Sequence, residues 1–128
     1  MKRSTFITTA VLTGLSGIAN GMPDESTTLL HHVFFWLKNP GSTSDRAALI
    51  AGLKTLASIP GIRQMHIGVP ASTEKREVVD NSWDVSELMF FNDEAAQKIY
   101  QDHPVHQAFV KNYSHLWAKV IVYDAVDI

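Results

Sequence analysis

The chain has 128 residues, 45% of them hydrophobic and 19% charged, which suits one globular domain large enough to bury its own core. A formal charge of -2, from 11 basic and 13 acidic residues with no basic run, excludes a phosphate-tracking surface, so no nucleic-acid partner is expected. With no cysteine there is no disulfide, thiolate nucleophile or cysteine metal site.

The first 21 residues, MKRSTFITTAVLTGLSGIANG, carry Lys2 and Arg3, an apolar stretch from Phe6 to Ile18, and then small residues. That layout is expected of a secretory signal peptide, with Gly17, Ala19 and Gly21 as small residues before a cut near Asn20 or Met22. The stretch is too short and too rich in threonine, serine and glycine to span a bilayer. The expectation is therefore export, to the periplasm or beyond, with no membrane anchor on the mature chain. If the leader is not a signal, the protein is cytoplasmic.

Leu29 to Lys38, LLHHVFFWLK, is dense in β-branched and aromatic residues and closes on NPGS, which predicts a strand ended by a turn. Ser44 then serves as an N-cap for a helix to about Ser58, with Leu49, Leu53 and Leu56 on one stripe and IPG ending it. Ile62 to Val69 is a second strand, PASTEKREVVDNS a solvated polar connection, and Trp83 to Phe91 a third strand. Asn92 caps a second helix through DEAAQKIYQD. His103 breaks it, because the residue before a proline is pushed out of helical geometry. Pro104 suits the first position of a new helical segment, PVHQAFVKNYSHLW, and Ala118 to Val126 forms the fourth strand.

Strand, helix, strand, strand, helix, strand is the βαββαβ order of ferredoxin-like α+β domains, a four-stranded antiparallel sheet with helices on one face. Alternation along the first strand puts His31, Val33, Phe35 and Leu37 on one side and Leu30, His32, Phe34 and Trp36 on the other. Both sides are apolar, yet the helices cover only one. A homodimer with the two sheets face to face, a dimeric α+β barrel, is the expected assembly.

His106, third residue of the segment begun by Pro104, falls in register with Phe109, Val110, Tyr113 and Trp117, so it points inward. The helix N-terminus disfavours positive charge, which keeps the imidazole neutral and able to accept a proton. Tyr100 ends the preceding helix on the stripe of Ala96 and Ile99, close enough for its hydroxyl to reach the same cavity. A neutral histidine beside a phenol suits proton abstraction next to a carbonyl, the phenol stabilising the oxygen that becomes negative. An inward histidine and tyrosine are equally compatible with plain hydrogen-bonded core residues.

His31 and His32 point to opposite faces, so they cannot share one ion. If the helices cover the face of Val33 and Phe35, it is His31 that joins His106 and Tyr100. Val33, Phe35, Phe109 and Tyr113 are the candidate apolar lining for a small carbonyl or phenolic ligand. His103 is expected to cap the break or face solvent, a weak metal site with His106 being the alternative. His115 is expected at the surface, and His66 has no assigned role. No glycine-rich phosphate loop, nucleophile elbow or nucleotide fingerprint occurs, and neither a cofactor nor a metal is expected.

HHVFFWLKNP, YQDHPVHQAF and LWAKVIVYDAV together resemble the stress-responsive A/B-barrel (Dabb) family, over about Leu29 to Val126. The resemblance implies a dimeric α+β barrel. It also brings a precedent, a plant polyketide cyclase of the family that performs an aldol condensation with a tyrosine and histidine pair, which falls on Tyr100 and His106, and a strand histidine, which falls on His31. Two further cyclase residues, a strand histidine and a helix tyrosine, fall near Val85 and Gly52 here, so the resemblance implies a differently shaped pocket. A binding or stress-response protein without catalysis is the other function the family allows.

Overall fold

A computed structural model describes residues 28–128, so the expected leader, residues 1–21, lies outside the described part. Leu29–Leu37 forms β1, Thr43–Thr55 forms α1, and a 3₁₀ turn at Leu56–Ser58 leads towards β2, Gln64–Gly68. Gly61, at φ 95, makes the reversal between them, a conformation that a side chain disfavours. After the long connection come β3 at Val85–Phe91, α2 at Glu94–Asp102, α3 at Pro104–Tyr113, a second 3₁₀ turn at Ser114–Leu116, and β4 at Trp117–Val126. None of the described helices is long and apolar enough to cross a membrane.

The strands lie in the order β2-β3-β1-β4 and every neighbouring pair is antiparallel, which is the ferredoxin-like arrangement expected from the element order. β1 is central, pairing with β3 from Leu29↔Phe91 to Phe35↔Val85 and with β4 from Leu29↔Val126 to Leu37↔Trp117. The helices cover one face. There Val33, Phe35 and Leu37 of β1 and Val85, Met89 and Phe91 of β3 pack with Leu49, Leu53 and Leu56 of the first helical segment and Phe109 of α3.

The expected breaks are in place, with the caps moved by one or two residues. Ser42, rather than Ser44, caps α1, its hydroxyl accepting from the Asp45 amide at 3.1 Å. Asp93, rather than Asn92, caps α2, its carboxylate accepting from the Ala96 amide at 2.8 Å and placing negative charge at the positive end of the helix. β2 is shorter than Ile62 to Val69 at both ends and β4 begins one residue earlier than expected; β3 begins at Val85, just after Asp84, whose amide donates to the Phe35 carbonyl and whose Oδ2 accepts from the Leu37 amide, each at 2.8 Å. The charged run Ser72 to Glu77 is exposed, as a solvated connection should be.

Candidate functional site between the helices and the sheet

Pro104 fixes the site. His103 leaves helical geometry at φ -66, ψ 141, and its Nδ1 accepts from the Val105 amide at 3.0 Å, so this residue ends α2 and caps α3 at once. The chain turns within one residue, and the two helices aim Tyr100 and His106 at each other with ring centres 4.9 Å apart, edge to face. His103 thereby spends one ring nitrogen on the backbone. Among the described residues no group of three or more metal-ligating side chains is assembled.

From the sheet side, His31 meets the same pair. Its ring is 4% exposed and stands edge-on to Tyr100 at 5.7 Å. Its Nδ1 lies 2.6 Å from Oδ1 of Asp124, the residue opposite it on β4. With its Nδ1–H donated to that carboxylate, the ring has Nε2 left for other contacts. Asp124 fixes both tautomer and ring plane, as carboxylates do for working histidines. His32, on the other face, lies against Phe34 with centres 4.2 Å apart.

Tyr100 is 1% exposed, and its hydroxyl donates to Oε2 of Glu87 at 3.1 Å. Glu87 was not singled out from sequence, although the signal was there: on β3 it shares a face with Val85, Met89 and Phe91, all of them fully buried. Burial pushes its carboxyl up to about 7, only partly offset by the hydrogen bond from Tyr100. The Tyr100 phenol is pushed well above its ordinary value by burial and by the neighbouring carboxylate. His106 is pushed down, first by burial and then by His31, which favours its neutral form.

These groups line a cleft of about 150 Å³ whose remaining walls include Val33, Phe35, Phe109, Val110 and Trp117. Of the expected lining, Val33, Phe35 and Phe109 are at the cleft. Tyr113 is set back, stacked on Phe109 at 5.6 Å, its ring over Gly52 so closely that a β-carbon there would come within 2.7 Å of it. His66 and His115 are exposed, away from the cleft.

A helix-covered antiparallel sheet with a histidine and tyrosine cluster at the helix break defines a ferredoxin-like α+β protein with a small polar-centred cleft. The sequence matches the Stress responsive A/B Barrel Domain family over residues 29–127, and the chain belongs to that family. No curated protein matches it. Among solved structures it is similar to a Dabb family protein with a ferredoxin-like fold from Mesorhizobium loti, at 25% identity over 80% of this chain and 98% of that one, TM-score 0.65. A dimeric ferredoxin-like protein of unknown function from Thermobifida fusca is 18% identical over 80% and 92% of the two chains, TM-score 0.65. The hydroxynitrile lyase from Passiflora edulis is 19% identical over 79% and 94%, TM-score 0.65.

Proposed function

We propose that this protein is an exported homodimer that binds a small apolar carbonyl or phenolic compound in the cleft and moves a proton on it without a cofactor. The observation that carries the reading is the convergence of a neutral histidine, a buried phenol and a carboxylate-oriented histidine on one otherwise apolar cleft. Grouping of perturbed titratable side chains in a concave site is the ordinary mark of acid–base work.

The roles follow from the chemistry. His106, neutral and half-buried at the start of α3, takes a proton from carbon next to the carbonyl. The C–H bond breaks, its electron pair becomes the enolate, and the negative charge settles on the carbonyl oxygen. Tyr100 is the donor for that oxygen, and His31, held by Asp124, orients the substrate. The enolate carbon then either bonds to a second carbonyl carbon, whose oxygen takes up the proton held by His106, or takes that proton back itself. The lyase from Passiflora edulis supports this reading only in that a lyase is built on the same frame. The dimer rests on the open sheet face and on the dimeric state given for the Thermobifida fusca neighbour.

The test is hydrogen–deuterium exchange at the α-carbon of aryl methyl ketones in D₂O, followed by NMR. Exchange above background is expected, and it should drop about 10²- to 10⁴-fold in His106→Ala. Ketone binding with no exchange in the parent protein would sink the catalytic half and leave a binding protein. That second reading is favoured by one feature, the near-complete burial of Tyr100 with its hydroxyl already engaged by Glu87. Export is checked by fractionating cells and measuring the mass of the mature chain, which should start near Asn20 or Met22.

A further inference from the structure

Glu87 is an odd residue to find where it is. It is 2% exposed, its neighbours across the sheet are Val33 on β1 and Ile67 on β2, and no lysine or arginine is paired with it among the described residues. A buried carboxylate without a cation is costly, and a glutamine or methionine would fill the same space without that cost. Among the described residues, the side chain hydrogen-bonded to its carboxylate is Tyr100, through the hydroxyl.

That bond has two arrangements. A phenol hydroxyl carries one proton and can both donate and accept. When Glu87 is a carboxylate it can only accept, so it holds the Tyr100 proton and leaves the phenol oxygen with nothing to donate to the cleft. When Glu87 carries a proton, its own O–H can donate to the phenol oxygen, and the Tyr100 proton is released to turn towards the cleft. No heavy atom needs to move.

We propose that Glu87 is a positioning residue that switches Tyr100 between two hydrogen-bond states, and that only the state with protonated Glu87 gives the cleft a donor for a substrate oxyanion. The use made of that donor rests on the function proposed above. The ligand class follows: a compound that carries, or develops, negative charge on an oxygen placed beside Tyr100. Other titratable groups line the cleft and their effects must be separated from this one: His31 from β1, with Asp124 of β4 behind it, and His106 from α3. Neither histidine is hydrogen-bonded to Glu87. Burial that pushes the Glu87 carboxyl up to about 7 puts both states within reach near neutrality.

The switch is read without any ligand by infrared difference titration of the parent protein, Glu87→Gln and Tyr100→Phe. A protonated-carboxyl band that disappears with a midpoint near pH 7, and is missing in Glu87→Gln, is expected. The ring C–O band of a tyrosine should shift in the same titration and be missing in Tyr100→Phe. A carboxyl titrating in the ordinary carboxylate range, or a tyrosine band indifferent to it, would overturn the proposal.

The donor's use is read with 2,4-dinitrophenolate, which stays anionic across this range. Its affinity for the parent protein should fall about tenfold or more as Glu87 ionises. Glu87→Gln, whose amide can donate to the phenol oxygen at every pH, should keep the tighter binding and lose that step. The same fall in Glu87→Gln would overturn the link to Glu87. A coupled infrared titration with no dinitrophenolate binding would uphold the switch and overturn the oxyanion site it serves.

Discussion

The two faces of the sheet solve different problems with the same strands. On the helix-covered face, β1 and β3 bury Val33, Phe35, Val85, Met89 and Phe91, and the polar groups among them are paired, His31 with Asp124 and Glu87 with Tyr100. On the open face, Phe34 stands edge-on to Trp83 at 5.1 Å and to Tyr123 at 6.1 Å, and Lys119 lies 4.5 Å over the Trp36 ring. These rings shelter one another, yet Tyr123 remains 64% exposed. One face is a finished core with a few titratable groups built in, while the other is an apolar surface open to a further layer. Burial on the first explains stability and the raised carboxyl of Glu87, and exposure on the second points to assembly.

The sharpest test of that contrast is a matched pair of adjacent phenylalanines. Phe91→Ala, on the covered face and fully buried, should lower unfolding free energy by about 3–5 kcal/mol in denaturant melts. Phe90→Ala, half-buried on the open face, should cost much less in the isolated protomer and act chiefly on association. Phe34→Glu should separate the faces further: a charge in a sheet-to-sheet contact is expected to weaken dimerisation by about 3 kcal/mol or more in sedimentation equilibrium, with the protomer still folded. A parent protein that sediments as a monomer would break the comparison.

On the covered face, Glu87→Gln should change how stability depends on pH. The carboxyl is raised in the folded state, from 4.5 to about 7, so the native state holds its proton where the unfolded chain has lost it. Stability from this group is therefore present below the unfolded value, is lost as pH rises through that window, and is constant above about 7. Glu87→Gln should gain on the order of 2–3 kcal/mol over the parent above that window and show no such loss within it. Urea melts from pH 4 to pH 8 (about that span) check it. The smallest effect is expected from Lys119→Ala, about 0.5–1 kcal/mol from the lost cation–π contact with Trp36, falling in high salt.

Most of the frame was legible because its signals are local. Strand alternation, Pro104 and the IPG stop define elements without reference to the rest of the chain, and they brought His31, Tyr100 and His106 to one face in agreement with the structure. The caps moved because Ser42 and Ser44, and Asn92 and Asp93, are all competent in sequence, and only the extended backbone at Ser42 and Asp93 shows which of each pair stands at the helix start. Asp124 was out of reach, since its pairing with His31 depends on the register of strands from opposite ends of the chain. Glu87 was within reach: a lone acid in phase with three apolar residues on a strand marks a buried carboxylate, and its partner then has to be sought on the covering helix.

The contact between Gly52 and Tyr113 ties two positions on different helices to one shared volume. Gly52 cannot be enlarged alone. A side chain at 52 requires a smaller residue at 113, and trimming 113 opens a hollow that a side chain at 52 could fill. The two helices thus share one aromatic wall behind Phe109, and whichever of the two sites carries the bulk, the other has to give it room.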